Sequence, residues 1–339
     1  MAALQYTEHQ PPEQTQLVEL KPGIYWARMP LPFPPNHINV YLLEGDDGWT
    51  VIDTGMNLAE ARERWLGIFD RYLGNKPVTA VVVTHMHFDH CGLSTFLTDH
   101  WRAPLWMSRS EYLAARSGRP ENRAGSWQLQ QHYQRAGMDE QYLQRVAEKF
   151  ESFEKVHEPV PLSFERLHEG QALRFGADEW RVMMGLGHSP EHVCLYSENS
   201  SVLISGDHIL PRISPNISVS AECPGADPLA DYLDSLLPFA ELPEDTLVLP
   251  SHGLPFQQLH LRIEQLREDH QGNLDKLLSL CQNERSLKQI IPGIFTRKLS
   301  PVEYHLAMGE SLALVNRLWH LGLLQRRLDD RGVFLYKTG

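Results

Sequence analysis

The sequence predicts an α/β fold whose buried strands end in polar residues, followed by a helical unit that closes on a hairpin. Three observations predict it. Val78–Thr84 (VTAVVVT) is an unbroken, mostly β-branched run, the mark of a strand buried on both faces. Short apolar segments ending in Gly, Ser or Asn recur up to about residue 257, with helical spacing between some of them. Beyond residue 258 the texture turns helical, and Asp329-Asp330-Arg331-Gly332 reads as a hairpin turn between Leu324–Leu328 and Val333–Lys337.

Each element follows in order. Residues 1–20 are polar. Ile24–Arg28 is a short strand. Asn39–Glu44 and Trp49–Asp53 flank Gly45-Asp46-Asp47-Gly48 and read as a hairpin of buried strands. Residues 58–73 have helical spacing, with Leu58, Ala61, Trp65, Ile68, Phe69 and Tyr72 on one face. Residues 108–156, rich in Gln, Glu and Arg, read as a helical insertion broken at Gly118-Arg119-Pro120 and at Gly137. Trp180–Met184, His192–Ser197, Ser201–Ser205 and Thr246–Leu249 are strands, and Pro228–Ala240 is a helix. Leu259–Leu280 is one long helix pattern. Residues 286–339 read as three helices and the hairpin, a winged-helix-like arrangement. The expected domains are 20–257 and 258–339, with the insertion at 108–156 serving as a lid or as a dimerisation element.

The bulk numbers set limits. A chain of 339 residues exceeds one typical domain. Hydrophobic content of 42% and charged content of 22% are those of an ordinary globular protein. A net charge of −12 argues against nucleic acid as the default partner, because phosphates need clustered Lys and Arg. No stretch approaches the roughly 18 apolar residues of a membrane span, so no membrane partner is expected. The start, MAALQYTEHQPPEQTQ, lacks a secretory pattern, and the four cysteines are scattered. Both point to the cytoplasm.

The chemistry lies in Thr84-His85-Met86-His87-Phe88-Asp89-His90, an HxHxDH pattern directly after the buried strand. Two histidines on a wet strand face would mean little. Four potential ligands within six residues at a strand end point to metal. Imidazole suits zinc, iron and related ions, and a carboxylate adds charge for a second divalent ion. Three later residues repeat the geometry, each beside a Gly at the end of an apolar run: His188, Asp207 and His252.

This ordered series of HxHxDH, His, Asp and His resembles that of the metallo-β-lactamase superfamily, over about residues 20–257. The resemblance implies an αββα sandwich with the metals at one edge. It implies that His85, His87 and His188 hold one ion, that Asp89, His90 and His252 hold the other, and that Asp207 bridges them. Asp53 would support the ligand loop without binding metal. Cys91 reads as a packed thiol. His208 and Arg212 are candidate substrate contacts, with a core histidine and a surface salt bridge as their plainer readings.

The expected cofactor is a pair of divalent ions, zinc before iron or manganese. Two ions about 3.5–4 Å apart would hold a bridging hydroxide that attacks an electrophilic carbonyl or phosphorus. Asp89 would orient the nucleophile and later move a proton. Antibiotic-degrading members of the family are typically exported, and many carry Cys where Asp207 stands. This chain therefore looks closer to the glyoxalase II-like thioesterases. The expected function is cleavage of a carbonyl-type ester, a thioester or lactone, in a small-molecule substrate. A homodimer is a further expectation. One alternative is an endonuclease on single-stranded RNA or DNA, since residues 284–339 carry a net charge of +4. Another is a non-catalytic binding protein on the same fold, against which the full ligand set argues. Single-iron oxygen chemistry is disfavoured by the second ligand set.

Overall fold

A strand buried on both faces needs partners on both edges, and the β-branched run at 78–82 has them. The computed structural model describes residues 3–74, 76–117, 126–139, 141–146, 148 and 158–339. Strand β1 (Gln5–Tyr6) belongs to a second sheet described below. The first sheet takes its strands in chain order: β2 (Val18–Lys21), β3 (Ile24–Pro30), β4 (His37–Glu44), β5 (Trp49–Ile52), β6 (Val78–Val82), β7 (Leu105–Ser108) and β8 (Glu165–Leu167). It is antiparallel from β2 to β5 and parallel from β5 to β8. The switch at β5 needs a crossover, which α1 (Ala59–Ile68) supplies. The helix runs on into a single wider turn at Phe69–Leu73.

The second sheet contains β9 (Ala172–Phe175), β10 (Asp178–Gly185), β11 (His192–Ser197), β12 (Val202–Gly206), β13 (Leu247–Pro250) and β14 (Phe256–Gln257). Its order is β1-β14-β13-β12-β11-β10-β9. Alternate residues face the first sheet, as the two-residue period of a strand dictates. Trp180 and Val182, Val193 and Leu195, Val202 and Ile204, and Leu247 and Leu249 meet Trp26, Tyr41, Ile52 and Val82 in one buried cluster. With helices outside, this is the expected αββα sandwich. The parallel ends of β5, β6, β12 and β13 all stop in polar loops, and the loop ends of parallel strands are where such folds place their chemistry.

The chain divides into two compact units. The first comprises Met1–Ser117, Val156–Pro215 and Leu237–Ile263, and holds both large sheets. The second comprises Gly118–Lys155, Asn216–Leu236 and Glu264–Gly339. Of the expected insertion, α4 (Arg109–Ser117) and α5 (Trp127–Arg135) are described, while the break at 118–120 and much of 140–156 lie outside the described residues. The predicted helix at 228–240 is shorter than expected. Helix α6 (Pro228–Ser235) ends before Pro238, which has no N–H to continue the ladder, and a tight turn covers Pro238–Glu241.

Helix α7 (Leu259–Leu280) has the predicted bounds. After it, the described residues hold two helices where the sequence suggested three: α8 (Leu287–Ile294) and α9 (Pro301–His320). Phe295 is extended, which ends α8, and a capping box of Ser300 and Glu303 with Pro301 at the first position starts α9 afresh. The hairpin is β16 (Leu324–Leu328) and β17 (Phe334–Thr338), closed by Gly332 N–H donating to Asp329 O. A third strand, β15 (Arg285–Ser286), pairs with β17 and makes a three-stranded sheet.

Within the second unit, burial pushes the Glu310 carboxyl on α9 up to about 7, opposed by Asn216, whose Nδ2 donates to Oε2 at 3.3 Å. A raised acid stays protonated in the fold while the unfolded chain ionises near 4.5. Its contribution is therefore present below about 4.5 and lost as pH rises towards 7. Glu310→Gln is expected to raise stability at pH 8 by roughly 2 kcal/mol and to change it little at pH 4. Urea unfolding at the two pH values checks this, and an equal change at both would refute it.

Candidate metal centre

Beyond β6, Val83 and Thr84 lead the chain away from the sheet. His85 and His87 come first. A single helical turn, α2 (Phe88–Cys91), is closed by His90 and Cys91 N–H groups donating to His87 O. It carries Asp89 and His90 to the other side of the site. His188 comes from the loop between β10 and β11, Asp207 from the end of β12, and His252 from the end of β13. The ligand atoms fall into two groups: His85, His87, His188 and Asp207 in one, and Asp89, His90 and His252 in the other. All seven residues predicted as ligands are thus brought together, four from a loop of the first sheet and three from loops of the second.

The distances are those of donors around cations. His85 Nε2 stands 2.8 Å from His87 Nδ1 and 3.3 Å from His188 Nε2. His252 Nε2 lies 3.5 Å from Asp89 Oδ2, and His90 Nε2 lies 3.8 Å from it. Asp207 faces both groups, with Oδ2 3.5 Å from His188 and 3.5 Å from His90, and Oδ1 3.4 Å from His252. A tetrahedral ion with bonds of about 2.0–2.1 Å has donors roughly 3.3 Å apart. His90 Nε2 and Asp207 Oδ1 are buried and make no hydrogen bond among the described residues. Leaving such atoms unsatisfied costs about 1–3 kcal/mol each. Divalent cations fit this donor set, because they satisfy the orphaned atoms and the converging imidazole lone pairs together.

The electrostatics agree. Burial lowers His85, and the rings of His90, His87, His192 and His188 lower it further, so it is a neutral donor. Burial also opposes charge on His90, but Asp53, Asp207 and Asp89 outweigh it and raise that ring well above the usual range. Burial would raise Asp89, yet His90 and His252 bring it down to about 2. Asp207 is likewise held well below the carboxylate range, burial being outweighed by His252 and His90. The cluster is built to hold positive charge.

A surrounding layer positions these side chains. Asp53 sits at φ 61°, a left-handed conformation that Asp tolerates better than most residues. Its Oδ1 accepts from Thr84 N–H at 2.8 Å, and its Oδ2 lies 2.8 Å from His90 Nδ1. That contact turns His90 Nε2 towards the acids. His252 Nδ1 is held by His37 O at 2.9 Å. The same loop is tied to β3 and β4 by Arg28 donating to Gly253 O, Asn39 to Pro250 O and Tyr41 Oη to Pro250 O, each at 2.8 Å.

Three supports were missed in the sequence. His192 Nε2 accepts from Asp207 N–H at 3.0 Å, and Gly206 leaves room for its ring, since a Cβ there would lie 2.4 Å from it. His37 belongs to no sequence motif. Glu111 is fully buried, accepting from Met86 N–H at 2.9 Å and Glu191 N–H at 2.8 Å. It joins the His85 loop to the His188 loop, although in sequence it is one more acid in a polar helix. Glu111→Ala is expected to weaken metal binding by about 10- to 100-fold. Competition against a chromophoric chelator measures this, and parental affinity would contradict it.

The remaining candidates have other contacts. His208 is fully buried, its ring beside Gly185 and 5.1 Å from the Phe239 ring centroid, a position in the packing. Arg212 is exposed and stacks over Tyr6 of β1 at 5.6 Å. Cys91 is buried, with Sγ donating to Met86 O.

Residues 33–252 match the family described as the metallo-beta-lactamase superfamily, and residues 274–339 match a metallo-beta-lactamase-like C-terminal domain. The crystal structure of a beta-lactamase domain protein from Burkholderia ambifaria is 40% identical, with a TM-score of 0.90, over 99% of this chain and 98% of that one. A probable metallo-hydrolase of Bacillus subtilis (strain 168) is 27% identical over 312 residues, 86% of this chain and 93% of the relative. An acyl-coenzyme A thioesterase of Gallus gallus is 26% identical over 226 residues, 61% of this chain and 67% of the relative.

Proposed function

The chain belongs to the metallo-beta-lactamase superfamily and is a metal-dependent hydrolase, and from that premise we propose that it cleaves a carbonyl-type ester, a thioester before a lactone, at a centre of two divalent ions. The observation that carries the binuclear reading is Asp207, whose two oxygens face both donor groups within 3.5 Å. The thioester reading draws on the likeness to an acyl-coenzyme A thioesterase. Zinc suits the mixed imidazole and carboxylate donors. Four unpaired cysteines fit a reducing compartment. The order of helix, strand, helix, helix and hairpin supports reading the C-terminal part as winged-helix-like.

When bound, two divalent ions supply Lewis-acid polarisation of the substrate carbonyl and a water acidified to a pKa of about 7. His85, His87 and His188 would hold one ion, and Asp89, His90 and His252 the other. Asp89, ionised at neutral pH, would take the proton that the attacking water gives up and pass it to the leaving group. Asp53 and His37 O keep His90 and His252 in the tautomers that present Nε2 to the centre.

Turnover of acyl thioesters, lactones, phosphodiesters and RNA by metal-loaded protein tests the assignment. Thioester cleavage that stops on chelation and returns with zinc is the expected result. Turnover confined to phosphodiesters or RNA would overturn it.

A further inference from the structure

The second unit holds a cleft of about 310 Å³, within the size range of small-ligand sites. One wall is α5. Trp127, Gln131 and Arg135 recur every fourth residue along that helix, so they share a face, and all three line the cleft. Trp127 is 65% exposed, an unusual state for the largest apolar side chain. The opposite wall is the hairpin, through Arg326 and Phe334.

The two arginines share one ring. The Arg135 guanidinium carbon is 5.4 Å from the Phe334 centroid, and that of Arg326 is 4.9 Å from it. Arg326 also lies 3.5 Å over Trp319. Ring stacking uses the faces of the guanidinium and leaves its N–H edges. Among the described residues neither arginine has a carboxylate partner or a hydrogen-bond acceptor, and Glu222, which also lines the cleft, pairs with neither. Burial lowers Arg326 from its usual value, Tyr336 opposes the shift and Arg135 adds to it.

We propose that this cleft binds a phosphorylated nucleoside, its phosphate taken by Arg135 and Arg326 and its base stacked on Trp127. Two forked cations suit a phosphate dianion, where a single carboxylate would need only one. An exposed indole offers a platform to any base.

Calorimetric titration of the full chain with ADP, adenosine and inorganic phosphate tests the assignment, using chelator-treated protein so that phosphate cannot bind through metal. ADP is expected to saturate one site per chain, with adenosine and phosphate each at least about tenfold weaker. Arg326→Gln and Arg135→Gln are each expected to weaken ADP by about tenfold or more. Arg135 lies on a helix surface, so its variant keeps the test valid if Arg326→Gln unfolds, and circular dichroism reports that. Three results would overturn the proposal: no saturable ADP binding, ADP binding by Arg135→Gln equal to that of the parent, or a single-stranded 12-mer that displaces ADP and binds over a hundredfold more tightly, which would make the cleft a nucleic-acid site.

Discussion

Asp207→Ala is expected to leave the protein with fewer than one tightly held ion per chain, against two for the parent, and to reduce turnover on the order of 10³-fold or more. The carboxylate is the group that faces both donor sets, so its loss weakens both sites at once. Polarisation by a metal is worth several kcal/mol in the transition state. At about 1.36 kcal/mol per decade, roughly 4 kcal/mol corresponds to that loss of rate. Asp207→Asn keeps the shape without the charge and separates packing from electrostatics. Elemental analysis after desalting is the direct measurement, and two ions retained by the alanine variant would rule out the bridging role.

Asp53→Ala should be the most destabilising single change near the site. It strips the partner from His90 Nδ1 and from the Thr84 amide, both buried. Removing one partner of a buried pair costs about 3–5 kcal/mol. Alanine at positive φ adds about 1–2 kcal/mol of backbone strain. Asp53→Asn tolerates the same backbone and keeps an acceptor, so it should fold nearly as well yet bind metal about 10- to 100-fold more weakly. Denaturant midpoints paired with metal affinities distinguish the two variants. If both lose stability equally and neither loses affinity, Asp53 is a packing residue.

How much of this was legible in the sequence depended on how local the signal was. The four candidate ligands at 85–90 follow directly on one β-branched strand, so the motif and its setting are read together. His188, Asp207 and His252 were found because each follows a buried run and sits beside a glycine. The hairpin at 324–338 announced itself by its turn. What was missed is non-local. Pairing of Gln5–Tyr6 with Phe256–Gln257 joins segments some 250 positions apart, and nothing in two residues encodes that choice. Arg285–Ser286 is too short to show a strand period. Glu111 and His192 take their roles from backbone amides that fold against them, and an amide leaves no mark in the side-chain pattern. His192 also opens an apolar strand, which gave it the look of a core residue.

The origin of the ligands in loops of both sheets has a consequence for the life of the protein. A bound ion is a rivet across the seam of the sandwich, since separating the two layers must break its coordination. Binding only to the closed arrangement adds about 2.7 kcal/mol of resistance to opening at a hundredfold excess of free metal over its dissociation constant, and about 4.1 kcal/mol at a thousandfold. Starvation for metal withdraws that resistance. The apolar faces are then expected to part more often, so proteolysis of chelator-treated protein should run faster than that of the metal-loaded form.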